Sequence, residues 1–198
     1  MTAQSTGLTS ILDRSWVRDA FPGSVATEAR AVSRLLPLTI RSFPAASTVT
    51  VTGEPVRIPQ RVYCRAIRPD PSQSTPTEQL MLNCLGTRHH DGHARERHLR
   101  AVIGDLSPWV VPYVVALVGE YVVEIVEVIE QALPELTVDG SAQQLAYGAY
   151  LSTNPEVLRL THARVVSYWD RFHRSTWPSL AGYPGQRLAR ALQVAARA

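Results

Sequence analysis

His89, His90, Asp91 and His93 form the densest run of metal-ligating side chains in the sequence, within RHHDGH beginning at Arg88. Imidazoles and a carboxylate in that number could hold Zn²⁺ or another divalent metal, which would activate water for hydrolysis. Neighbouring residues point apart on a helix, so 89 and 90 can chelate one ion only from a loop. The competing expectation is a polar turn in which Asp91 caps the helix that follows, and this is the one favoured. His98 falls on the apolar side of that helix, and His162 and His173 border an aromatic stripe. All three are expected to be hydrogen-bonded packing residues. No G-x-S-x-G, G-x-G-x-x-G or H-E-x-x-H pattern occurs. All 20 basic residues are Arg, which removes Schiff-base and lysine general-base chemistry and a P-loop lysine. No catalytic residue is assigned.

Arg95 lies one turn before His98 and Leu99 on the apolar side, where an unpaired guanidinium is very costly. It needs a carboxylate, and Asp91 with Arg95 is the expected structural ion pair. Further on, Glu120, Glu124 and Glu127 fall at i, i+4 and i+7, beside the core face of Val122, Ile125, Val126 and Ile129. No Arg is interleaved, so a basic surface should face the stripe. Arg97 and Arg100, or Arg159, Arg171 and Arg174, are the candidates within the fold. The same residues are the candidate contacts for a partner protein.

Charge is unevenly spread. Residues 1–100 carry 13 Arg and 8 acids, residues 101–150 no basic residue and 7 acids, and residues 151–198 carry 7 Arg and 2 acids. An acidic centre between basic arms can neutralise itself or present two faces. The net charge of +3 is small, and the acidic centre disfavours nucleic acid. Cys64 and Cys84 are the only cysteines, and the N-terminus lacks a charged-then-apolar leader. Free thiols in a reducing cytoplasm are expected. The most apolar uncharged run, 106–119, has 14 residues and two prolines. A membrane span needs about 20, so this run is expected to be a buried helix, with no membrane partner.

After a loose tail at 1–8, a helix should run from Ser10 to Phe21 and a second over about 24–36. Thr48-Val49-Thr50-Val51-Thr52 alternates, Gly53-Glu54-Pro55 supplies a turn and Val56-Arg57-Ile58 alternates again, predicting a hairpin within 48–63 that must lie on helices. A loop at 68–75 leads to Thr75-Pro76-Thr77-Glu78, a capping box with proline at the first helical position. Helices are expected from there to about 85, then over about 92–104, 108–118, 120–133, 141–151, 154–174 and 186–196. In the helix from 154, Leu158, Thr161, Val165, Tyr168, Trp169 and Phe172 share one apolar stripe.

Asp91, Ala94 and Arg95 match a pattern with which HEAT-type helical repeats open their second helix: an Asp, a small residue three on and an Arg four on. His98 departs from the small residue expected at seven. Glu120-Tyr121-Val122-Val123-Glu124 repeats the rhythm with Glu124 in place of the Arg, and Asn154-Pro155-Glu156-Val157 echoes it again. The segment resembles a degenerate pair of HEAT-like units covering about a third of the chain, and spacings of this size suit a helical stack. The resemblance implies a binding scaffold without catalysis. The His90-Asp91 doublet resembles that of HD-type metal phosphohydrolases, which are also all-helical. That family needs another His upstream, and none precedes His89.

The expected fold is mostly α, an irregular HEAT-like stack or bundle of seven to nine helices with one small β-hairpin. It forms a single domain over 1–198, with a helical core at 76–198. The expected function is a non-catalytic protein-binding or scaffold module. The alternatives are a metal-dependent hydrolase using His89, His90, Asp91 and His93, or an Arg-mediated phosphate or nucleic-acid binder. The hairpin edge offers a further expectation, a homodimer.

Overall fold

The computed structural model describes residues 14–38 and 44–198. The expected tail at 1–8 and helix start at Ser10 lie outside the described residues. The chain begins with a single turn, α1 (Trp16–Asp19), a short 3₁₀ turn at Gly23–Val25, and α2 (Ala26–Leu35). The antiparallel hairpin β1 (Ala46–Val51) and β2 (Glu54–Pro59) follows. Then come α3 (Pro76–Gly86), α4 (Gly92–Val102), α5 (Val111–Val118) and α6 (Val123–Ala132). The chain closes with α7 (Ala142–Thr153), α8 (Pro155–Tyr168), a π-helical turn (Trp169–His173) and α9 (Pro184–Ala195). Among the described residues the protein is mostly α, with nine α-helices and one small hairpin, as expected.

Local chemistry sets most of these starts. Glu78 donates its amide to the Thr75 hydroxyl (3.3 Å) and accepts the Thr75 amide (2.8 Å), closing the capping box of α3 with Pro76 at its first position. Asp91 caps α4 by accepting the His93 amide at 2.9 Å. Seven of the eight residues of α5 are buried, as a helix without a polar face must be. Among the described residues no helix is long and apolar enough to cross a membrane. The Tyr113 hydroxyl of α5 donates to the Ala20 carbonyl at 2.8 Å, and Phe21 stacks on the same ring, which fastens the N-terminal helices to this central one. One hydrophobic cluster reaches from Trp16 to Ala195.

The hairpin turn sits one residue earlier than its sequence suggests. Thr52 and Gly53 have φ of +48° and +84°, the signature of a two-residue turn that matches strand twist. Glu54 and Pro55 therefore enter β2, where Pro55 faces Thr50. One face, made of Val49, Val51, Val56 and Ile58, is buried. Residues 61–63 do not lengthen the ladder. Instead Val62 bridges to His89, and Cys64 to Leu38.

Asn154 ends α7 and precedes the first residue of α8, yet its side chain does not cap that helix. It accepts the Thr50 amide and donates to the Thr50 and Tyr150 carbonyls, each at 2.8 Å, occupying the edge of β1 at Thr50 as a strand would. Self-pairing along that edge would have to displace it. Asn154→Ala is expected to lower stability by about 1–3 kcal/mol, the cost of leaving such groups unpaired. Urea unfolding checks the size, and hydrogen exchange at the Thr50 amide should accelerate. An unchanged midpoint with a protected Thr50 amide would refute this role.

Only Thr161 and Val165 of the fourteen residues of α8 are buried. At Trp169 the helix widens, and the wider turn moves later residues out of phase with the expected stripe. Phe172 consequently faces solvent. Trp169 anchors the widened turn by donating its indole N–H to the Trp177 carbonyl at 2.9 Å.

Candidate functional site

Four charged side chains from distant parts of the chain meet beneath the link between α5 and α6. Glu120 lies in that link and is 6% exposed. Arg61 follows β2, Arg88 follows α3, and Arg95 is on the buried face of α4. Arg61 Nη2 donates to Glu120 Oε2 at 2.8 Å, Arg95 Nη2 lies 3.6 Å from the same oxygen, and Arg88 Nη1 lies 3.8 Å from Oε1. Three guanidiniums thus share one carboxylate, leaving an excess of two positive charges in a largely buried place.

Backbone carbonyls partly disperse that excess. Arg88 donates from Nε to the Pro59 carbonyl and from Nη2 to the Gln60 carbonyl, both at 2.9 Å. Arg95 Nη1 donates to the carbonyls of His89 (3.1 Å) and His90 (3.0 Å), while its Nε and Nη2 have no hydrogen-bond partner. Burial pulls the Arg88 guanidinium down to about 10 although Glu120 opposes the shift, so it stays charged at neutral pH. Arg95 is 1% exposed and has the carboxylate its burial demanded. That carboxylate is Glu120. Asp91, the partner expected from sequence, is exposed and spends Oδ1 on the His93 amide, a choice set by the start of α4.

Glu120, Glu124 and Glu127 do not form one stripe. α6 begins at Val123, so Glu120 precedes the helix and turns inward, while Glu124 is exposed and Glu127 half-buried. The basic group facing α6 is Arg187 of α9, which grips Glu130 with Nε–Oε1 at 2.6 Å and Nη2–Oε2 at 2.7 Å. Most of the Arg residues expected there are satisfied locally. Arg100 pairs with Glu96, Arg159 with Glu156 and Arg174 with Asp170. Arg171 lies over the Phe172 ring, and Arg97 is exposed on α4.

The histidine run is a turn whose rings hold backbone. The Asp91 amide donates to His89 Nδ1 at 3.0 Å, so the proton sits on Nε2, which donates to the Cys64 carbonyl at 3.1 Å. Both nitrogens are engaged, and burial lowers this imidazole's basicity. His90 stacks between His89 and Tyr63, and His93 is exposed. Among the described residues no three His, Cys, Asp or Glu side chains are grouped to hold a metal ion, so His89, His90, Asp91 and His93 do not form the centre considered from sequence. Cys64 and Cys84 are free and buried. Burial pushes the Cys64 thiol up to about 11 and raises Cys84 as well, which makes both poor nucleophiles at neutral pH.

A second convergence lies on the surface. Tyr121, in the α5–α6 link, meets Tyr168 at 6.2 Å between ring centroids, and Tyr168 meets Phe172 at 6.2 Å. His173 Nε2 donates to the Tyr121 carbonyl at 3.0 Å and its ring stacks on Tyr183, which holds the seam closed. Tyr121 and Phe172 are 51% and 53% exposed.

Compared with protein families, curated proteins and solved structures, the chain matches none of them. Sequence reasoning missed Arg61 and Arg88 as partners of Glu120. A hint was available in Gly119, the expected break between two helices, because a break longer than one residue places Glu120 in a link and not on the helix.

Proposed function

We propose that this chain is a cytoplasmic, non-catalytic module that binds another protein through the seam between the α5–α6 link and the π-helical turn. The continuous aromatic band Tyr121–Tyr168–Phe172, with both end rings more than half exposed, carries this reading. Exposed, held aromatics supply binding area at low entropic cost and are enriched among residues that dominate interfaces. Residues 155–174 carry four Arg and two acids, and Arg171 has no carboxylate partner among the described residues. The occupant that fits is an acidic segment with apolar side chains, which would meet Arg171 and cover Phe172.

A photo-reactive phenylalanine analogue at position 172 tests this in cells. It should crosslink to a single different polypeptide, at an acidic and apolar segment. Tyr121→Ser introduced beside it should reduce the yield by about tenfold or more. The fold should hold within about 0.5 kcal/mol, because the residue is exposed. Crosslinking to nothing, or only to a second copy of the chain, would reject the reading.

A further inference from the structure

Arg88 has a second face, which opens into a cleft of about 80 Å³ between the hairpin and α8. Val49 and Ile58 line it from the hairpin, and Val157 and Leu160 from α8. The charged residues that line it are Arg88 and Arg164, and no carboxylate does. Arg88 is held by the Pro59 and Gln60 carbonyls and cannot swing away. Arg164 makes no ion pair or hydrogen bond among the described residues. Its stem rests on Gly119, where an added Cβ would lie 3.2 Å from Arg164 Cβ and Cδ. The residue before Glu120 is thus small where the Arg164 stem crosses it.

The charge of the buried cluster adds to this. Glu120 is shared among three guanidiniums, so the Arg88 end of the cleft keeps positive potential, and apolar walls of low dielectric strengthen it. Away from the arginines the cleft offers hydrocarbon. A ligand matching both parts has an anionic head and a short apolar body.

We propose that this cleft binds a small amphiphilic carboxylate, with its head group at Arg88 and Arg164 and its hydrocarbon between the hairpin and α8. At about 30 Å³ per liquid water, this volume takes the carboxylate and its first carbons, and the rest of a short chain lies where the cleft opens to solvent. This site is separate from the aromatic seam and does not depend on it.

Calorimetric titration of the full chain with hexanoate at low salt, beside hexanol and inorganic phosphate, tests the assignment. Hexanoate should bind saturably at one site, hexanol should bind about tenfold more weakly or worse, and phosphate should not displace hexanoate at equal concentration. Arg164→Gln should weaken hexanoate by about tenfold or more. Leu160→Asn should weaken it as well, and both residues are exposed enough for the fold to tolerate the change. Absence of saturable binding to the natural sequence overturns the proposal. So does hexanol binding as well as hexanoate, phosphate competing equally, or Arg164→Gln binding unchanged.

Discussion

Glu120→Gln is expected to cost about 3–5 kcal/mol, the loss seen when one partner of a buried ion pair is removed and the other charge stays. The substitution keeps the side-chain shape and deletes the one negative charge shared by Arg61, Arg88 and Arg95. Arg61 is about a third exposed and can turn toward water, whereas Arg88 and Arg95 are almost wholly buried. A folded domain is typically stable by about 5–15 kcal/mol, so the variant should unfold at much lower urea than the natural sequence. A second substitution separates electrostatics from packing. Adding Arg95→Met to Glu120→Gln removes an unpaired buried cation, and the double variant should recover part of the loss rather than add to it. An unchanged urea midpoint in Glu120→Gln, or purely additive losses, would show that the cluster does not hold the fold in this way.

Acid should weaken the protein before its carboxylates titrate, and His98 is the reason. Nδ1 of His98 meets Asn83 Oδ1 at 2.7 Å, so it carries the ring proton, and Nε2 is buried without a partner. Protonating Nε2 would bury a cation and a donor with no acceptor. Burial accordingly pushes the imidazole down to about 4 from 6.5, with the Arg97 charge and His89 adding to the shift. Between these values the unfolded chain binds the proton and the folded chain does not. Stability is therefore complete above pH 6.5, declines as pH falls from 6.5 toward 4, and levels off below. The shift corresponds to about 3 kcal/mol over that window. His89, lowered by burial in the same direction, adds with the same sign. His98→Gln should be less stable at pH 7 yet lose less on acidification. Parallel pH–stability curves for the two proteins would discard this account.

Glu120 with its arginines and His98 are polar groups that burial has made unforgiving, and they differ in how far the sequence foretold them. That Arg95 would be buried and need a carboxylate followed from its place one turn before His98 and Leu99. Which carboxylate it finds did not follow. Asp91 was nearer in sequence, but the first turn of α4 had an unpaired amide within its reach, and Arg95 was left to a residue from the α5–α6 link. Glu120, Glu124 and Glu127 have helical spacing, yet α6 starts only at Val123, which separates the first from the other two. Arg159 and Arg174 were charges in search of partners and found them three or four residues away on their own segment.

The helix starts at Thr75 and Asp91, the alternation of the hairpin, and the burial of the all-apolar α5 are written in short windows. Hydrogen bonds spanning a few residues and a periodic apolar face suffice for them, so sequence alone determined the class of fold. Packing decided the rest. It chose Asn154 as a fastener on the edge of β1, and it let a widened turn carry Phe172 to the surface. It also gathered Arg61, Arg88, Arg95 and Glu120 around one point. Those outcomes depend on which groups lose water together, and desolvation is set by neighbours in space that no local spacing records.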